Sequence, residues 1–198
     1  MLIERGFQYI DARRVLVYLS VEGEKREKIY FDAVSAMLSV GDQSSIRLVA
    51  QAEHGKSDPN QVIDRAKAFH HLHSYSDPNR MWLVMDADRG YLDKVEKRRE
   101  EIENIGFRLG ISNPCFELWL WIHAHEVDES ILEASSLKTA LPSVFDWRSW
   151  CRMPQPEMIH EAIRRAEALP GSASQPFPDN PGTQLGALFR HLGFAPAV

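Results

Sequence analysis

The sequence contains little cysteine, no long apolar run and no excess of positive charge. Its two cysteines, Cys115 and Cys151, have no metal-ligand partner at a suitable spacing. The opening residues lack the charged-then-apolar pattern of a secretory signal, so we expect a reduced, cytoplasmic protein. No stretch of about 18 apolar residues occurs, which argues against a transmembrane helix and membrane partners. The formal net charge of −5 argues against a simple nucleic-acid binder, although a local cationic patch or a bound metal would still permit such binding.

The most distinctive segment is the apolar run RMWLVM at residues 80–85, which ends in two carboxylates, Asp86 and Asp88. An apolar run of this length between turn signals predicts a buried strand. Carboxylates do not belong in a core unless they are paired or bind a cation. We therefore expect both acids at the exit of the strand, on one side of it because side chains alternate along a strand.

Strands and helices alternate in the first two thirds of the chain. Three further segments have the apolar character of strands: residues 14–21, 46–50 and 107–111. Helical spacing occurs between and after them, at residues 24–38, 59–73, 91–105 and from 115 to 123. Asp58 is the predicted N-cap before Pro59, and Gly106 is the predicted C-terminal cap. This alternation implies parallel strands with right-handed crossovers, and therefore an α/β sheet.

The last third of the chain shows helical patterns only, at residues 129–139, 156–169 and 183–192, separated by proline-rich links. These links are too short to detach a second domain. We therefore expect an α/β core over residues 14–125 and a helical C-terminal extension over residues 126–198, packed together as one structural domain.

Three acids follow two of the predicted strands. Glu22 follows the first strand, and Asp86 and Asp88 follow the third. If the strand order is 2-1-3-4, these exits form the topological switch point, where α/β sheets usually bind their ligands. Three carboxylates are hard oxygen ligands that suit Mg²⁺ or Mn²⁺. The alternative is that single acids at strand ends act only as helix caps or turn formers.

Charged residues beside these acids are further candidates. Lys25 and Arg26 follow Glu22 closely, and Arg89 follows the Asp-Ala-Asp group, so they are candidate phosphate contacts. Glu24 and Glu27 are weaker metal-ligand candidates. Acids are favoured in the first turn of a helix anyway, and Glu27 is therefore expected on the surface.

The segment after the fourth predicted strand contains a second polar group. Ser112 or Asn113 is a natural N-cap for the following helix, with Pro114 at its first position. Glu117 interrupts an apolar helix, where an unpaired charge is costly, so we expect it to face the cleft or to pair with a basic residue. Asn113 and Glu117 are additional candidate substrate contacts.

Four segments together resemble the RloB-like family: VEGEKREKIYF at 21–31, Asp86-Ala-Asp88, ISNPCFELWLWIH at 111–123 and NPGT at 180–183. The similarity runs in order from about Arg14 to Leu192, and the Ser-Asn-Pro-x-Phe-Glu-Leu-Trp pattern is its most specific part. It implies a Toprim-type fold, with a mostly parallel four-stranded sheet and helices on both faces, in proteins of prokaryotic defence and restriction loci. It also implies that Glu22, Asp86 and Asp88 are the metal-binding and catalytic acids.

The resemblance therefore implies a magnesium- or manganese-dependent nuclease that hydrolyses RNA or DNA in antiphage defence. Such an enzyme would act on a nucleic-acid substrate. A protein partner from the same defence locus and a second copy of the chain in a homodimer are further candidate partners. The alternative is a regulatory or partner-binding Toprim module that binds metal or nucleotide without turnover. A phosphatase with Asp86 as nucleophile ranks last, because its Asp-x-Asp pair follows the third strand.

Overall fold

The computed structural model describes residues 15–40, 46–73, 77, 80–87, 89–128 and 133–195. Its centre is a five-stranded sheet in the order β2-β1-β3-β4-β5. The strands are β1 (Val15–Val21), β2 (Ile46–Gln51), β3 (Met81–Asp86), β4 (Arg108–Asn113) and β5 (Gly182–Thr183). The first four are parallel, whereas β5 runs antiparallel to β4. The protein is therefore an α/β fold with a mostly parallel sheet.

The expected order 2-1-3-4 holds for the first four strands, but the expected count of four is wrong by one. The fifth strand pairs Thr183 with Ser112 and Gly182 with Asn113. It is only two residues long and carries no apolar run, so the pattern that revealed the other strands is missing. Thr183, expected in a helix, belongs to this strand instead.

Nine α-helices occur in the described residues. They are α1 (Glu27–Ser39), α2 (Pro59–Leu72), α3 (Arg89–Lys97), α4 (Arg99–Ile105), α5 (Glu117–Trp121), α6 (Ala134–Val144), α7 (Trp147–Arg152), α8 (Pro156–Ala168) and α9 (Leu185–His191). Asp58 caps α2 by accepting a hydrogen bond from the Asn60 amide at 3.0 Å, as expected. Gly106 ends α4 in the left-handed region, with φ of 90°, also as expected. The single helix predicted over residues 91–105 is two helices, interrupted at Arg98.

Helices cover both faces of the sheet. On one face, residues of β1 and β3 such as Leu19 and Val84 pack in a cluster with α1, α5 and the C-terminal helices. On the other face, Tyr18 and Leu83 pack against α2, α3 and α4. Successive side chains of a strand point to opposite faces of the sheet. Because helices cover both faces, the strands are apolar on both sides. Among the described residues, no helix combines the length and hydropathy needed to cross a bilayer.

A polar group of three side chains lies inside the first cluster. Trp119 donates from Nε1 to the Tyr30 hydroxyl at 2.9 Å, and that hydroxyl lies 3.0 Å from Nε2 of His123. Nδ1 of His123 lies 2.8 Å from the Trp119 carbonyl. A carbonyl oxygen only accepts, so Nδ1 carries the proton and Nε2 accepts from Tyr30. Burial lowers the pKa of His123 to about 4, so the imidazole is neutral and its hydrogen bonds are satisfied.

Candidate functional site

Glu22 and Asp86 meet where β1 and β3 end side by side. The Glu22 amide donates to the Val84 carbonyl at 3.0 Å and so extends the pairing of the two strands by one residue. The Asp86 amide donates to Oε2 of Glu22 at 3.1 Å. The structure thus brings together two of the three acids selected from the sequence. Asp88, the third, lies outside the described residues.

Glu27 is a further acid of this site, contrary to the expectation that it lies on the surface. It is half-buried, and its carboxylate packs directly against Gly23. A Cβ atom on Gly23 would lie only 2.0 Å from Oε2 of Glu27, so glycine allows this close approach. Burial raises the pKa of Glu27, while its own backbone amide and the charge of Arg26 lower it.

The pKa of Glu22 is raised to about 8. Burial is the largest cause, followed by the negative charge of Asp86, and the charge of Glu27 adds to it. The hydrogen bond from the Asp86 amide and the charge of Lys138 act in the opposite direction. Crowded carboxylates of this kind retain a proton near neutral pH unless a cation offsets their charge.

Asp86 also organises the start of α5. Its Oδ1 accepts a hydrogen bond from the Phe116 amide at 2.7 Å. This is the role expected of Ser112 or Asn113, and that expectation is wrong because both residues belong to β4. The Ser112 hydroxyl instead lies 2.8 Å from Oγ1 of Thr183, across the pair of strands.

Asn113 and Glu117, the two candidate substrate contacts of this segment, have different surroundings. Asn113 donates from Nδ2 to the Pro178 carbonyl at 2.9 Å. Glu117 is only 3% exposed and forms an ion pair and hydrogen bond with Arg26. The expected pairing of Glu117 with a basic residue is confirmed, and the pair ties the Glu22 turn to α5.

An open cavity of about 520 Å³ lies over the carboxyl ends of β1 and β3. Its acidic lining residues are Glu22, Glu24, Glu27, Glu53, Asp86 and Glu117. Its basic lining residues are Lys25, Arg26, Lys56, Lys138 and Arg148. Lys25 and Arg26 therefore border the site as expected. Arg89 begins α3, but its side chain lies outside the described part of the structure.

The basic residues from the C-terminal helices were not selected from the sequence. Lys138 lies on α6 and Arg148 on α7, and the Arg148 guanidinium lies 5.5 Å from the centre of the Trp147 ring. The positive charge of Lys138 lowers the pKa of Glu22. Neither residue adjoins one of the recognisable motifs, so only the fold brings them to the site.

The donor chemistry of the site suits a hard divalent cation. Glu22 and Asp86 supply carboxylate oxygens, the ligands that Mg²⁺ and Mn²⁺ prefer. Each carboxylate has a second oxygen beyond the one that accepts a backbone amide. Within the described residues, however, no group of three or more histidine, cysteine or acidic side chains is arranged to hold a metal ion.

Comparison with known proteins gives one match. A model of the family described as RloB-like protein matches residues 17–192, which is most of the chain. No curated protein and no solved structure matches it.

Proposed function

We propose that the chain, which belongs to the RloB-like protein family, is a metal-dependent nuclease. Its proposed reaction is the hydrolysis of phosphodiester bonds of RNA or DNA. We further propose that it has a Toprim-type site and serves prokaryotic defence against phage. The observation that supports this most is the contact between Glu22 and Asp86 at the neighbouring ends of β1 and β3. Ligands of α/β sheets bind at such a switch point.

The acids of the site fit a divalent cation. Burial, and then the negative charge of Asp86, raise the pKa of Glu22, and a bound cation would offset this crowding of negative charge. Glu22 and Asp86, together with Asp88, would hold Mg²⁺ or Mn²⁺. Such an ion stabilises charge on a phosphate and lowers the pKa of a bound water.

The chain's own residues position the reaction. Backbone amides hold one oxygen of Glu22 and one of Asp86, so both carboxylates are preorganised. Glu22 would either complete the metal shell or, in its ionised form, accept a proton from the attacking water, which otherwise passes to solvent. The water oxygen forms a bond to phosphorus, the bond from phosphorus to the leaving oxygen breaks, and that oxygen takes a proton from solvent. Lys25 and Arg89 are the proposed contacts to the substrate phosphate.

A second candidate is a regulatory module that binds a metal or nucleotide without turnover, together with a protein partner. The pairing of cations in the cavity favours it, because Arg26 is engaged by Glu117 and Lys56 by Glu53. Fewer cations are then available to hold a nucleic-acid backbone.

A cleavage assay separates the two candidates. The purified chain is incubated with end-labelled RNA, single-stranded DNA and duplex DNA, with Mg²⁺, Mn²⁺ or a chelator. Glu22→Gln and Asp86→Asn should each lower the cleavage rate about 100-fold or more. Both variants keep an oxygen that accepts the backbone amide, so the fold is expected to persist.

Glu24→Gln is the matched control, because Glu24 lines the same cavity but pairs with the exposed His54. It should cleave at close to the rate of the unmodified chain. Cleavage that survives in Glu22→Gln and Asp86→Asn would overturn the proposed nuclease. Absence of cleavage by the unmodified chain, with metal binding intact, would favour the regulatory module.

A further inference from the structure

We infer that the cavity over Glu22 and Asp86 is the centre of a groove that binds one extended nucleic-acid strand on both sides of the cleaved bond. The inference rests on the proposed function and names its substrate more closely. It assigns to Lys138 a contact with the phosphate backbone, and it makes the reaction endonucleolytic.

Two further cavities adjoin the central one. A cavity of about 310 Å³ shares Asp86 and Lys138 with it and extends to Asn113 at the end of β4. A cavity of about 380 Å³ shares Glu53 with it and extends to Gln51 at the end of β2. The central cavity therefore continues along the carboxyl edge toward β4, and on its other side it meets the cavity that begins at the end of β2 and continues beside α2.

The length of this groove follows from the strand order. The ends of β2, β1, β3 and β4 lie in that order along the edge, and neighbouring strands are about 4.8 Å apart, so the four ends span about 14 Å. Successive phosphates of an extended strand are farther apart than the helical rise of about 3.4 Å per nucleotide. The groove therefore accommodates about three phosphates, whereas a single nucleotide would occupy the central cavity alone.

Basic side chains lie on both sides of the centre. Lys138 stands where the central cavity meets the cavity beside β4. It is exposed and forms no ion pair among the described residues. Asp86 lines the same two cavities, so Lys138 and this acid border the same open space.

Arg65 provides the corresponding charge beside β2. Its guanidinium is held by the Ser20 hydroxyl at 3.0 Å and the Val21 carbonyl at 2.6 Å. The remaining nitrogen, Nη1, is buried and has no hydrogen-bond partner among the described residues. Arg65 therefore contributes positive charge to the cavity that it lines, rather than a direct hydrogen bond to a phosphate. The two cations thus flank the acids from opposite ends of the groove.

Binding is tested with fluorescently labelled single-stranded RNA and DNA of about two, four and eight nucleotides. The Asp86→Asn chain is used, so that binding is measured apart from cleavage. Affinity should rise strongly from two to four nucleotides and little thereafter. Adding Lys138→Ala should weaken binding of the four-nucleotide strand about tenfold and reduce the slope of log affinity against log salt by about 0.7.

Lys138→Arg keeps the charge and should restore both affinity and salt slope. Lys97→Ala is the control, because Lys97 is an exposed lysine on α3 that borders none of these cavities. The unmodified chain is also given circular single-stranded DNA and RNA, which an enzyme that binds both sides of the bond should open.

Equal affinity for two and four nucleotides, or an unchanged salt slope in the Lys138→Ala chain, would overturn the groove. Cleavage of linear strands without opening of circular strands would also overturn the groove. If the length dependence and salt slope are as expected but no strand is cut, the nuclease proposal fails and the groove stands.

Discussion

Replacing Glu22 by Gln should remove a pH dependence from the stability of the protein. The pKa of Glu22 rises from 4.5 to about 8 in the folded chain, first because of burial and then because of the Asp86 charge. Between these two values the unfolded chain has released the proton and the folded chain retains it. The free energy of unfolding therefore falls as pH rises from 4.5 to about 8. Outside this range, Glu22 does not make the stability depend on pH.

The magnitude follows from the size of the shift. One unit of pKa corresponds to about 1.4 kcal/mol, so the full shift from 4.5 to about 8 sets a ceiling of about 5 kcal/mol. Glu22 is only partly buried and faces an open cavity, where water screens the neighbouring charges. We therefore expect the folded chain to lose about 2 kcal/mol of stability across this pH range.

Urea unfolding at about pH 5 and at about pH 8.5 measures this loss. Glutamine has no proton to release, and its carbonyl oxygen still accepts the Asp86 amide, so the Glu22→Gln chain should keep most of its stability at the higher pH. Glu24→Gln, on the same turn, should follow the unmodified chain. A Glu22→Gln chain that loses stability as steeply as the unmodified one would refute the reasoning.

Two other substitutions test contacts around the site. Arg26→Ala leaves the buried carboxylate of Glu117 without its partner and should lower the free energy of unfolding by about 3 kcal/mol, measured by urea denaturation. Tyr30→Phe removes the hydroxyl that His123 and Trp119 share, and should lower it by about 2 kcal/mol in the same measurement, because two buried polar groups lose a partner.

Arg26→Ala and Tyr30→Phe each have a matched control. Lys28→Ala removes an exposed pair with Asp32 on α1 and should change stability by about 0.5 kcal/mol or less. Tyr91→Phe changes a half-buried tyrosine on α3 and should have a similarly small effect. If Arg26→Ala is no more disruptive than Lys28→Ala, the ion pair does not hold the turn. Equal stability of Tyr30→Phe and Tyr91→Phe would contradict the role of the buried network.

The four parallel strands were predictable because their apolar character is local and continuous. The strand order 2-1-3-4 was assumed rather than derived, because right-handed crossovers limit the arrangements of such a chain without selecting one of them. The strand Gly182–Thr183 was not predictable, because its pairing partner Ser112 is far away in the chain and two residues carry no periodicity. The same pairing explains why Ser112 does not cap α5.

The candidate site was predictable only where its residues stand at strand ends. Glu22 and Asp86 are recognisable from the apolar runs that precede them, and the strand order makes them neighbours. Glu27 was placed on the surface because acids at helix starts usually lie there. Its burial depends on the contact with Gly23. Lys138 reaches the site through the packing of α6, which no local pattern reveals.

The short strand β5 also bears on how the protein associates with others. An edge strand with unpaired backbone groups invites pairing with another chain. Here the Thr183 amide donates to the Ser172 side-chain hydroxyl at 2.9 Å, and Gly182 packs against Gly171, so the 3-10 turn at Pro170–Ala173 covers this edge. A second copy or a partner that adds a strand at this edge would therefore have to displace these contacts first.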